Sequence, residues 1–198
     1  MDQQLANIRL VTTRYRELKG LHVAYAGALW TSFGAVLSAQ ADVTAMDLLA
    51  AFAIVVVAYL PGKWWLDRYY ASRFGRIVVS PLRTSKLWVL PACAALALAN
   101  RVFGVGPLAG ASLIVSGEAL WIAVRDWPAR GHYLIGCLAG ALAASVQFAP
   151  HSAFFGKSQA LGIAILGLSY IPLGLLDHWL LTSVMRSQRE DPELVKHD

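Results

Sequence analysis

Residues 160–181 read ALGIAILGLSYIPLGLLDHWLL, with no charged side chain before Asp177. As a helix these 22 residues extend about 33 Å, close to the thickness of a bilayer's hydrocarbon core. Inside lipid every backbone N–H and C=O must be satisfied by the protein itself, which leaves only helices and closed barrels. The stretch shows none of the period-two alternation of a barrel strand. It therefore predicts a transmembrane helix.

Five further apolar stretches follow the same logic: 21–39, 43–60, 87–99, 105–124 and 133–149. The second is closed by Pro61-Gly62, which makes 62–75 an inner loop. The stretch at 87–99 has only 13 residues, about 20 Å of helix. It crosses only if the bilayer thins or Lys86, Asn100 and Arg101 snorkel, and Pro91 is a kink site. The predicted fold is an all-α polytopic integral membrane protein, with six transmembrane helices in three hairpins. Residues 1–20 form an N-terminal segment, 21–181 the bundle and 182–198 a tail. The longest segment between apolar stretches, 62–86, is far too short for a self-sufficient domain, so functions that need a cytosolic catalytic domain within this chain are excluded.

Composition agrees. The chain of 198 residues is 57% hydrophobic and 15% charged, with two cysteines and a mean hydropathy of +0.52, which excludes a disordered chain and a disulfide scaffold. The net charge of +5 is explained by where the cations lie. With six crossings, one side holds 15 Lys and Arg residues, and the other holds only Arg101 and Lys157. By the positive-inside rule both termini are cytoplasmic, and the expected location is a bacterial inner membrane. The expected partners are anionic lipids of the inner leaflet, and a membrane or cytoplasmic protein docking on 62–86. Nothing points to nucleic acid. Residues 1–20 lack the apolar core of a signal peptide. Ile8, Val11, Tyr15 and Leu18 fall at helical spacing, the pattern of an amphipathic helix on the membrane surface or of a polar lead-in to the first helix.

Glu118 is the sharpest chemical feature, a carboxyl seven residues, or about 10 Å, inside the cytoplasmic end of its helix. An acid at that depth is by default a binding or proton-relay candidate; the plainer reading is a protonated, hydrogen-bonded Glu. Asp126, His132, Asp177 and His178 fall near the same inner face and form a second candidate set, though histidines at interfaces are more often belt residues. His22 shares their depth, but no two histidines stand at metal-ligand spacing on one helix, and the sequence specifies no cofactor or metal. Cys93 and Cys137 read as small packing residues. Asp47, four residues into its helix, reaches water.

The inner stretch GKWWLDRYYASRFG at 62–75 interleaves aromatic residues with arginine. Trp64, Trp65, Arg68, Tyr69, Arg73 and Arg76 are therefore candidates for contact with lipid head groups or a partner, although an aromatic belt with positive-inside charge explains each of them. A faint echo links Leu66-Asp67-Arg68-Tyr69 to Leu176-Asp177-His178-Trp179. Small residues at four-residue steps (Gly136, Gly140 and Ala144, Gly106 and Gly110, Ala24 and Ala28) mark faces where helix backbones approach closely. In size and layout alone, with no shared motif, the chain is similar to the substrate-binding S-components of energy-coupling-factor transporters, which are also six-helix bundles. The expected function is a non-enzymatic membrane component, either a small-molecule-binding or transport subunit or an accessory subunit. The alternatives are an interfacial enzyme acting on a lipid and a proton- or cation-coupled carrier using Glu118.

Overall fold

The computed structural model describes Tyr15 and residues 18–40, 44–74, 107–147 and 155–190. Among them there are five helices and no strand: α1 Gly20–Ser38, α2 Ala45–Phe74, α3 Pro107–Arg125, α4 Tyr133–Gln147 and α5 Phe155–Glu190. The expected apolar segment 87–99 lies outside the described residues, as do Ile8, Val11, Cys93, Arg76, Arg101 and Gly106. Among the described residues three helices are long and apolar enough to cross a membrane, namely Gly20–Ser38, Leu49–Phe74 within α2 and Ser158–Arg186 within α5; Tyr133–Val146 is apolar but shorter.

The most extensive interface joins the first helix to the last, and glycine makes it. Gly20, Gly27 and Gly34 recur every seven residues along α1, and Ala160, Gly167 and Gly174 do so along α5. The helices run antiparallel, so Gly20 meets Gly174, Gly27 meets Gly167 and Gly34 meets Ala160. A Cβ on Gly27 would fall 2.6 Å from the Gly167 carbonyl oxygen, and one on Gly167 would fall 2.7 Å from that of Gly27. Backbone thus packs on backbone. Lipid tails are as apolar as leucine and give helices no hydrophobic reason to associate, so close van der Waals contact through small residues has to supply it.

A second antiparallel pair, α3 with α4, follows the same rule. Ser112, Ser116, Ala119 and Ala123 on α3 are buried, as are Gly136, Gly140, Ala143 and Ala144 on α4. Ser116 donates to the Cys137 carbonyl at 2.6 Å, which satisfies the hydroxyl inside the interface. Outward positions are large and apolar instead, as at Val57 (67% exposed), Leu138 (71%) and Trp179 (65%). Small and polar residues inside with large apolar ones outside is a pattern compatible with membrane association.

Helix α2 differs from its expected boundary. It passes through Pro61-Gly62 and continues to Phe74, so most of the expected inner loop is helix. Proline removes from the ladder the hydrogen bond to the Val57 carbonyl, and a neighbouring side chain reinforces the same turn. The Tyr25 hydroxyl donates to the Ala58 carbonyl at 2.9 Å, three residues before the proline, and the Tyr25 ring fills the space a Cβ on Gly62 would need. At its other end α2 opens on a capping box: the Thr44 N–H donates to Asp47 Oδ2 at 2.8 Å, and the Asp47 N–H donates to Thr44 Oγ1 at 3.2 Å. Asp47 is therefore a helix-capping residue.

Glycine substitutions test the seam. Gly167→Val is expected to lower stability by about 1–3 kcal/mol or more through overpacking. Gly117→Ala, where nothing stands within 4 Å of the new methyl, should be neutral or raise stability by up to about 1 kcal/mol. Thermal unfolding of both variants in detergent, followed by circular dichroism, checks the contrast.

Candidate functional site

Most of the described ionisable side chains gather at one end of the bundle, where α1 and α4 begin and α2, α3 and α5 approach their C-termini. Gly20 sets the geometry. A Cβ there would stand 2.8 Å from the Asp177 Cβ, so only glycine lets α5 bring Asp177 to this depth beside α1. Asp177 is wholly buried and Arg130 is 1% exposed. Asp177 Oδ2 accepts from Arg130 Nη2 at 2.7 Å and from the Tyr133 hydroxyl at 2.6 Å. Its Oδ1 accepts from Arg130 Nε at 3.2 Å and lies 3.1 Å from His132 Nε2.

Arg130 carries the network to the second carboxylate. Its Nη1 reaches Asp126 Oδ2 at 3.4 Å, one helical turn back in sequence. Asp126 also holds the fork of Arg125, with Nε at 2.9 Å and Nη2 at 2.7 Å. The guanidinium carbon of Arg130 stands 4.5 Å from the Tyr133 ring centroid. Two arginines thus face two aspartates, and both oxygens of Asp177 are bonded. A buried carboxylate saturated in this way is a clamp between α5 and the 126–132 turn. Taking either partner away would leave a buried charge uncompensated.

His178, one residue further along α5, faces α2. Its Nδ1 lies 3.1 Å from the Tyr70 hydroxyl, which also accepts the Leu21 N–H at 3.0 Å. Tyr70 is packed with Tyr15, Leu18, Leu180, Leu181 and Val184 in a buried cluster, so Tyr15 and Leu18 of the N-terminal segment are tied into the bundle. Burial pushes the Tyr15 phenol up from its ordinary value. Asp67 forms a second node, 3.2 Å from Lys19, 2.9 Å from Lys63 and 3.2 Å from His22 Nε2.

Of the expected inner-face set, Asp126, His132 and Asp177 converge around Arg130, while His178 joins Tyr70 and Glu118 takes no part. Trp64 and Trp65 are exposed on α2, Arg68 lies over the Trp64 ring at 4.0 Å, and Trp65 stacks on Tyr69 with centroids 6.2 Å apart. Arg73 is exposed near the end of α2. Arg130, Tyr133 and Tyr70 were not among the expected site residues. The sequence signal for Arg130 was its spacing, four residues after Asp126 and three before Tyr133, close enough for the 126–132 turn to fold the three together. Among the described residues no group of three or more His, Cys, Asp or Glu side chains is placed to hold a metal ion.

Further from the polar end lies an apolar cavity of about 540 Å³, lined from four helices by residues that include His22, Trp30, Phe52, Tyr59, Val115 and Tyr170. Among the described residues no Lys, Arg, Asp or Glu lines it. Its size falls in the range of pockets that hold one drug-sized molecule. No protein-family model, curated protein or solved structure matches this chain.

Asp177→Asn should lower stability by about 3–5 kcal/mol, the usual cost of breaking one side of a buried pair. The double variant Arg130→Met/Asp177→Leu is expected to recover much of that loss, because no buried charge is left unpaired. Detergent melting curves of the single and double variants measure this directly.

Proposed function

We propose that this chain is a non-enzymatic integral membrane component that binds a small molecule, as a binding or transport subunit. The observation that carries the reading is the cavity. It lies among the three membrane-length helices and α3, and apolar and aromatic side chains make up most of its wall. Such a pocket selects molecules that partition into lipid. The nearby polar residues support a binding role over a catalytic one, because Asp177 and Arg130 are buried and engaged with each other, away from the cavity wall.

Six crossings, both termini on the cytoplasmic side, and contact of the 64–73 aromatic and arginine residues with anionic lipid or a cytoplasmic partner belong to the same proposal. Helix α2 ends at the polar end and α3 starts at the opposite one, so the link from Phe74 to Pro107 joins the two ends of the bundle; in this reading 87–99 supplies that crossing. The cations at 19, 63, 125 and 130 share the polar end, which the positive-inside rule assigns to the cytoplasm.

Two measurements test the proposal. In native mass spectrometry, chain extracted from its own membrane in mild detergent should retain a small molecule. Val115→Trp, which fills the cavity, should lose it while keeping the helical circular dichroism spectrum. A co-purifying polypeptide in fixed ratio with no small molecule would favour the accessory-subunit reading instead. For topology, single cysteines at 101 and 157 in a cysteine-free chain should label with an impermeant maleimide in intact cells, and cysteines at 83 and 128 only after permeabilisation. Labelling of 101 and 128 from the same side would contradict six crossings.

A further inference from the structure

We infer that the molecule held in the cavity is a lipophilic cation. This rests on the binding reading above and adds the charge class of the ligand. The wall includes the aromatic side chains Trp30, Phe52, Tyr59 and Tyr170, and aromatic rings attract cations most strongly where water is excluded. Among the described residues no Lys or Arg lines the cavity, and His22 is turned to Asp67 through Nε2 at 3.2 Å. No fixed cation therefore opposes a positive occupant.

A counter-charge stands at the cavity's edge. Glu118 is not part of the wall, but it lies three residues after Val115, which is, and so shares that face of α3. Its carboxyl interacts electrostatically with Tyr170, another wall residue. Among the described residues Glu118 has neither a hydrogen-bond nor an ion-pair partner, whereas Asp67, Asp126 and Asp177 each have two or more charged or hydrogen-bonding neighbours. Its side chain is exposed on α3; with this face in lipid, as the membrane reading has it, a carboxylate about 10 Å inside the polar end is costly unless it is paired. A hydrophobic cation lying against the aromatic wall would supply that pair. A neutral occupant would leave Glu118 uncompensated, and an anion would be repelled by it.

Tetraphenylphosphonium and tetraphenylborate have nearly the same shape and opposite charge, so together they separate the ligand's charge from its fit. Binding of each is measured by tryptophan quenching of the full chain in phosphatidylcholine nanodiscs, after subtracting partitioning into protein-free discs. The expected result is saturable binding of tetraphenylphosphonium at least about tenfold tighter than tetraphenylborate, a difference of about 1.4 kcal/mol. Glu118→Gln should abolish that preference, weakening tetraphenylphosphonium and tightening tetraphenylborate, while leaving the helical spectrum unchanged, and Trp30→Leu should weaken the cation. Equal or tighter binding of tetraphenylborate, or an unchanged preference in Glu118→Gln, overturns the cationic ligand while leaving the cavity as a binding site. If neither ion binds saturably and Val115→Trp changes nothing, both the inference and the binding reading fall.

Discussion

Backbone-to-backbone contact between α1 and α5 is the constraint on which the rest of the molecule depends. Five glycines and an alanine in two heptad series remove side chains along one line on each helix, and the two lines meet in antiparallel register. Glycine weakens a helix by about 1 kcal/mol relative to alanine, so such a series is retained only where close approach returns more. The approach does three things at once. It brings Asp177 beside the start of α1, it sets Tyr170 and Gly167 opposite Gly27, and it leaves His22 and Trp30 on the flank of the seam where the cavity opens. Bulk added anywhere along the line would displace all three.

The polar end is the complement of that seam. Small-residue packing holds two helices but does not by itself specify which turn of one faces which turn of the other, since a slip of seven residues would again match glycine with glycine. The Asp177, Arg130 and Tyr133 clamp and the Tyr70 bond to His178 each join one position on α5 to one position elsewhere. A buried charge pair is a poor source of net stability, but it penalises the wrong register heavily, because slipping strands both charges. The Asp67 node does the same for α2 against α1 through Lys19 and His22.

What the sequence made legible was the part encoded by composition. Helical character and membrane-length spans follow from the apolar content of 21–39 and 160–181, because partition into lipid is a local property. The α3–α4 face was legible from Gly136, Gly140 and Ala144. The heptad series at 20, 27, 34 and 160, 167, 174 stood in the sequence too, yet its meaning required knowing that two helices more than 120 residues apart are partners, and local pattern does not carry that. Pro61-Gly62 reads as a break because proline breaks helices in water; here Tyr25 supports the weakened turn. Arg130 reads as one more cation of a basic inner loop, and only the fold turns it inward. His132 and Asp177 were recognised as polar residues at a shared depth, while their connection through Arg130 depends on how the 126–132 turn packs against α5.

The register of the α1–α5 seam is the premise for every site described, and disulfide trapping tests it most directly. A Cβ built on Gly174 lies 2.9 Å from that of Ala24, closer than the roughly 3.5–4.5 Å of a disulfide, so the two positions adjoin and a bridge forms once the helices part by about 1 Å. In a chain whose native Cys93 and Cys137 are replaced by alanine, the pair Ala24→Cys/Gly174→Cys should oxidise to a bridge under mild copper phenanthroline. The pair Ala24→Cys/Gly167→Cys, displaced by two helical turns, should stay reduced. Bridging of the displaced pair, or of neither while both chains remain helical, would contradict the seam and with it the placement of the clamp and the cavity.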